Sequence, residues 1–430
     1  MLPQSRLVTI AAVWSLWFGV CLALQPPHHG MLISRETLLT SFGKSALLPT
    51  ILSLPPPILP KNNNDDGSQQ QVTLPLTFLP RGGCLAVKII LNDKSGEKRV
   101  FSYYAIVDTG SPFLTAPPVV KKYSQDESRK YPTTQEQYGE TIGTMEWRSL
   151  KNVEIPILLS GDDDYNKYVD NLLPTNVLVG LPEAKVVDDT GGIFLGLIQT
   201  DDYRPTFLRQ WGYPSFILDY PGRQLILSKQ PVAVMMNNES NNTPPTAAAA
   251  TAAAALFQLF DFSPYGDNIH HYGVQCQSFV LEYNGLDEKT KKSATTTSTV
   301  MVSSLKRPVI AVIDSGLTGC IFSDSLQEEL VASGYLHNSS NNDELSGLQA
   351  TLPTISSSSS SSSLAVTLSS NPDYWFLSSF KLPWFKDDAS HPHVIAMGAT
   401  FLAQSRISID PLQSIAKIEG PTVMVSTLSS

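Results

Sequence analysis

Two short stretches of this chain repeat one another across roughly two hundred residues: Ala105-Ile106-Val107-Asp108-Thr109-Gly110-Ser111 and Ala311-Val312-Ile313-Asp314-Ser315-Gly316. Each is an apolar run ending in Asp, a small hydroxyl residue and Gly. A run of this kind reads as a buried strand. A carboxylate at its end is costly unless it is paired or has chemistry to perform. The glycine lets the backbone turn tightly and brings main-chain N–H groups near the carboxylate. With matched flanks, the two motifs constrain the chain to two similar half-structures that each deliver one acid to a shared site.

The rest of the 430-residue chain is compatible with such a fold. It is 42% hydrophobic and 16% charged, a balance that suits a folded protein. A net charge of −9 leaves no basic footprint, which argues against nucleic acid as a partner. Short apolar runs separated by turn residues recur: Leu85 to Leu91, Val100 to Val107, Val153 to Leu159, Val177 to Leu181, Ile193 to Ile198, Phe216 to Asp219, Leu225 to Ser228, Leu256 to Phe262, Gln277 to Tyr283, Thr299 to Ser303, Val309 to Ile313, Val394 to Met397 and Ile407 to Ile409. Long helical periodicity is scarce. The chain is therefore expected to be all-β.

Composition marks the boundaries. Arg6 is the one charge in residues 1–24, and Leu7 to Leu24 is almost wholly apolar. Cys21 and Ala23 give the small-residue pattern of a signal peptidase site, so 1–24 reads as a signal peptide. A signal anchor that holds the chain to a membrane through residues 7–24 is the alternative, since that length just spans a bilayer. The leader of a two-step organelle address is the third reading. The secretory route is thus expected, with the protein secreted or vacuolar/lysosomal, and Asn238, Asn241 and Asn338 each begin a glycosylation sequon. Residues 25–71 read as a disordered leader or pro-segment. One lobe is expected at 72–229 and carries Asp108. A low-complexity linker follows at 230–255. A second lobe at 256–430 carries Asp314 and a Ser-rich loop at 337–364. Of the four cysteines, Cys84, Cys276 and Cys320 remain once the signal is removed. That odd number leaves at least one thiol unpaired or bonded between chains.

Taken together the motifs resemble the pepsin-like aspartic proteases. Asp108-Thr109-Gly110-Ser111 is similar to the first active-site loop and Asp314-Ser315-Gly316 to the second, with Phe322-Ser323-Asp324 resembling the start of a short helix beyond it. Phe194-Leu195-Gly196-Leu197 and Met397-Gly398-Ala399-Thr400-Phe401-Leu402 resemble the two apolar-glycine segments beside those loops. Ile407 to Ile418, with Asp410, resembles the closing hairpin. Tyr138-Gly139-Glu140 resembles the tip of a flap, with Gly143 to Trp147 returning from it. The resemblance covers roughly Val72 to Glu419.

It implies an all-β, bilobal fold with lobes related by a pseudo-two-fold axis and a central cleft. It implies an aspartic endopeptidase, a monomer, that binds a protein or peptide substrate in extended conformation. Asp108 and Asp314 would share a proton and activate a water between them by general acid/base catalysis, without metal or organic cofactor. Thr109 and Ser315 would cross-link the two loops, and Gly110, Ser111 and Gly316 would support the pair. The terms hydrolase, aspartyl protease and proteolysis follow from this reading.

Three positions depart from the pattern. The Trp that partners the flap tyrosine in many relatives would fall near Thr115. Ser111 fills the hydroxyl position after the first Gly, but the matching position after Gly316 is Leu317. Ala399 replaces a common Asp. Loss of a donor to Asp314 raises its pKa, and Thr318 is a substitute donor. A second reading is therefore carried alongside the enzyme: a catalytically weak or inactive pepsin-fold binding or inhibitor protein. His270-His271 and His391-Pro392-His393 read as surface-loop histidines rather than metal ligands. Asp162-Asp163-Asp164 reads as a solvated acidic loop.

Overall fold

The computed structural model describes residues 71–427 apart from short interruptions, of which 159–175, 232–255, 337–344, 356–363 and 380–389 are the longest. The leader, the three sequons, the serine run and the linker therefore lie outside the described residues, as do Gly139 and Asp162 to Asp164. Those described form 24 strands and a few short helices, so the architecture is mostly β-sheet.

Alternation sets the faces of the half-exposed strands. In Arg99–Asp108, Tyr103, Ala105 and Val107 point inward while Tyr104 is exposed, the two-residue period of a pleated strand. Val309–Ile313 and His393–Met397 are buried at every position and pair in parallel. Continuous apolar runs are what strands covered on both faces require. Val153–Glu154 is much shorter than the run to Leu159 suggested.

Sheet order explains how the two Asp motifs meet. From one end the pairings run Phe194–Gly196, Arg99–Asp108, Cys84–Asn92, Gln71–Leu79, Gln224–Ser228 and Ser215–Asp219. From the other, inside the two further strands Leu377–Ser379 and Cys320–Phe322, they run His393–Met397, Val309–Ile313, Gly273–Cys276, Leu256–Phe260, Ile415–Glu419 and Arg406–Asp410. The two series read as mirror images in pairing order. They join where Phe216 lies opposite Ile409 and Leu218 opposite Ile407 in an antiparallel ladder.

The joining hairpins also match in their turns. Gly222 N–H donates to Asp219 Oδ1 at 2.8 Å, and Gln413 N–H donates to Asp410 Oδ1 at 3.1 Å. Each turn ends on a left-handed residue, Arg223 at φ 50° and Ser414 at φ 53°. Aspartate closing a turn through its own side chain is the expected chemistry of such loops.

A hairpin of Thr134–Tyr138 and Thr141–Lys151 belongs to a separate sheet, in register from Thr134 opposite Met145 to Tyr138 opposite Thr141. A five-stranded sheet holds Ser278–Leu286, Ser293–Val302, Leu345–Pro353, Leu364–Ser369 and Val423–Thr427. The helix Asp324–Ala332 begins where Phe322-Ser323-Asp324 suggested one. Among the described residues no helix is long and apolar enough to cross a membrane, and residues 7–24 are not among them.

Candidate functional site

Asp108 ends the strand Arg99–Asp108, and Asp314 follows the buried strand Val309–Ile313. Leu197 N–H donates to Asp108 O at 2.8 Å, and Asp314 N–H donates to Met397 O at 3.0 Å. Each loop is therefore pinned to the strand beside it. Those neighbours carry the two glycine segments for a steric reason. A Cβ on Gly196 would lie 2.5 Å from Ser111 O, and one on Gly398 would lie 2.5 Å from both Leu317 O and Gly319 O. Backbone packed this closely leaves room for hydrogen alone.

The loops then grip each other. Thr109 N–H donates to Ser315 Oγ at 3.0 Å and Ser315 N–H donates to Thr109 Oγ1 at 2.9 Å. Thr109 Oγ1 donates onward to Ile313 O at 2.9 Å, and Ser315 Oγ to Val107 O at 2.7 Å. Both hydroxyls are fully buried and both serve as donor and acceptor. The glycines are packed crosswise: a Cβ on Gly110 would lie 2.8 Å from Asp314 Oδ1, and one on Gly316 would lie 2.5 Å from Asp108 Oδ1. Asp108 and Asp314 share a hydrogen bond between their side chains.

Their electrostatics differ in detail and agree in direction. Burial pushes Asp108 above the ordinary carboxylate range, opposed by Ser111, by Gly110 N–H at 2.7 Å, by Asp314 and by the charge of His271. Burial pushes Asp314 well above that range, and the charge of Asp108 pushes it further. Only backbone groups oppose the rise at Asp314, Gly316 N–H at 3.1 Å and Leu317. The leading cause is thus desolvation, whereas the sequence pointed to the missing hydroxyl. Ser111 Oγ lies near enough to Asp108 to counter the rise but falls short of good hydrogen-bond geometry with any partner. Thr318, the alternative donor, spends its hydroxyl on Cys84.

Several neighbours of the pair carried no sequence signal. Cys84 Sγ lies 3.8 Å from Gly316 O, and burial pushes its thiol up to about 12. Tyr220 OH donates to Ser315 O at 3.4 Å, and Tyr272 OH to Leu197 O at 2.7 Å. His271 is no surface residue: Nδ1 lies 3.0 Å from Asp267 Oδ2, both side chains are buried, and the imidazole helps hold Asp267 below its usual range. His393 is fully buried as well, with Nε2 2.9 Å from Glu329 Oε2 and Nδ1 2.9 Å from Ser325 Oγ. The surface-loop assignment of these two histidines is corrected, because each has a buried hydrogen-bond partner that offsets its desolvation. Among the described residues no group of three or more His, Cys, Asp or Glu side chains is placed to hold a metal ion.

The position where a flap-partnering Trp was missing is filled otherwise. Thr115 Oγ1 accepts from Phe194 N–H at 2.7 Å, which ties the Asp108 loop to its neighbour strand. Trp147 of the hairpin packs edge-on against Phe113, with centroids 4.9 Å apart.

No family model and no curated protein matches the chain. Among solved structures it is similar to that of edgp, with 11% identity, a TM-score of 0.47, and coverage of 82% of this chain and 95% of that one. It is similar to basic 7S globulin from soybean at 11% identity and TM-score 0.44, covering 81% and 95%. It is similar to conglutin gamma, a basic 7S globulin from lupine seeds, at 9% identity and TM-score 0.45, covering 82% and 95%.

These findings correct the expectation of an aspartic endopeptidase. At 9–11% identity and TM-scores of 0.44–0.47 these likenesses carry no activity to the chain, so the protease is not carried forward. The terms hydrolase, aspartyl protease and proteolysis fall with it. The coarser statement stands: the described residues form a mostly β fold.

Proposed function

We propose that the chain is a catalytically weak or inactive pepsin-fold binding or inhibitor protein that takes an extended peptide segment of a protein partner into a cleft between two halves. The observation that carries this reading is the side chain at position 317, where Leu317 gives Asp314 no hydroxyl to match Ser111 beside Asp108. A pair sharing one proton presents an O–H donor on one acid and an acceptor on the other, and together they can hold a neutral polar group of a partner's backbone. Leu317 leaves Asp314 without the side-chain donor that would favour its charged form.

The mirrored pairing order supports lobes related by a pseudo-two-fold axis, with boundaries near 72–229 and 256–430. The hairpin ending at Tyr138 is read as the flap, with Gly139 at its tip. Thr109, Gly110, Ser111, Ser315 and Gly316 hold the pair in place. The binding protein is read as a monomer of the secretory route, secreted or vacuolar/lysosomal.

Titration of the purified chain with a pepstatin-type statine peptide, alongside a casein cleavage assay between pH 3 and 7, tests the reading. Binding without turnover is the expected result. Cleavage that disappears in Asp314→Asn, or absence of binding across the range, overturns it.

A further inference from the structure

We infer that Arg204 is the latch that ties the hairpin to the loop carrying Asp108, and that it sets how fast the cleft exchanges its occupant; the second clause rests on the binding reading. Arg204 is a cation with 8% exposure, in the segment that follows Phe194-Leu195-Gly196-Leu197. A guanidinium this buried is costly unless every face of it is used. Its Nη1 donates to Thr134 Oγ1 at 3.2 Å and pairs with Glu136, two residues before Tyr138. Its plane lies over the ring of Phe113, 4.5 Å from the centroid, and over that of Trp147 at 4.7 Å.

These contacts come from three directions. Thr134 and Glu136 lie on the outgoing strand of the hairpin and Trp147 on the returning one. Phe113 lies two residues beyond Ser111 in the loop that carries Asp108. Thr134 Oγ1 closes the network: it donates to Glu136 Oε1 at 2.7 Å and accepts from Trp147 Nε1 at 3.0 Å. One side chain therefore joins both strands of the lid to the floor beneath it. Lifting the hairpin strips the cation of its anion and of the Trp147 face together, leaving it only Phe113. An ammonium could keep the charge but not the planar stacking and forked donation.

The test compares full-length wild type with Glu136→Gln, which keeps shape and removes the anion, and with Arg204→Lys. Hydrogen exchange is followed in the ligand-free proteins. Amides of Thr141–Lys151 should exchange on the order of tenfold faster in both variants, while those of Val309–Ile313 stay unchanged. Dissociation of a bound statine peptide should quicken by a similar factor. Unchanged exchange in Glu136→Gln overturns the latch whether or not the peptide binds. A wild type that binds no peptide overturns the cleft reading alone, since the exchange result still decides the latch. Faster exchange with an unaltered dissociation rate confines Arg204 to the hairpin and overturns its control of the cleft.

Discussion

Thr109 and Ser315 hold each other reciprocally: each backbone N–H donates to the other's side-chain oxygen, at 3.0 and 2.9 Å, across 206 residues of sequence. Each hydroxyl then passes its own proton to a carbonyl at the end of the opposite strand. Ser315→Ala deletes the acceptor for Thr109 N–H and the donor to Val107 O, leaving two buried groups unsatisfied. A loss of about 1–3 kcal/mol per orphaned group is expected. A shift in the urea midpoint, without a change in slope, checks it.

The acid pair should make stability depend on pH in an unusual direction. Both pKa values are raised in the folded state, so the fold binds those protons more tightly than the unfolded chain does. Their contribution is fully present below the unfolded value near 3.8 and is lost as pH rises through the folded values. Asp314→Asn removes that dependence. The variant should match wild type below pH 4 and exceed it at pH 7. Urea titrations at several pH values check the sign, and a variant less stable at neutral pH would contradict the raised pKa of Asp314.

Gly316 has no room for a methyl group. The added carbon of Gly316→Ala would meet Asp108 Oδ1 at 2.5 Å and push the two acids apart. An overpacking cost of about 1–3 kcal/mol is expected, together with loss of statine-peptide binding by calorimetry.

The thiols should be silent in the native protein. Cys84, Cys276 and Cys320 are buried thiols, and burial pushes Cys84 and Cys276 up to about 12 and Cys320 higher still. Without thiolate there is no nucleophile for alkylation. At pH 8 iodoacetamide should leave all three unmodified in the folded chain and label them in urea, as read by peptide mass spectrometry.

Removal of the His393 side chain should be costly. His393→Ala opens a cavity between the helix Asp324–Ala332 and the strand His393–Met397 and leaves Ser325 Oγ and Glu329 Oε2 short of a partner. A destabilisation of about 2–4 kcal/mol is expected from thermal unfolding.

The parts of the site that were legible in sequence are those whose cause is local. An apolar run followed by Asp-Thr-Gly states its strand, its acid and its turn within seven residues. Gly196 and Gly398 are legible for the same reason, because the crowding they relieve recurs in both halves. Arg204 is not: Glu136 lies 68 positions away, and nothing near Arg204 in the chain marks it as paired. His271 and His393 look like polar loop residues until Asp267 and Glu329 are brought against them. The strands Leu345–Pro353 and Leu364–Ser369 escaped notice because they flank the serine run, whose composition hid their pairing. Catalysis was misjudged on different grounds. The motif specifies that two acids meet, while their protonation depends on desolvation by the whole surrounding core.

The ladder between Phe216–Asp219 and Arg406–Ile409 has a consequence for chain integrity. Each half closes its own terminal hairpin and the two meet through ladder pairing, so no peptide bond is needed at the seam. A protease nick between residues 232 and 255 would leave every described ladder intact, and the severed pieces should travel as one particle until denaturant parts them.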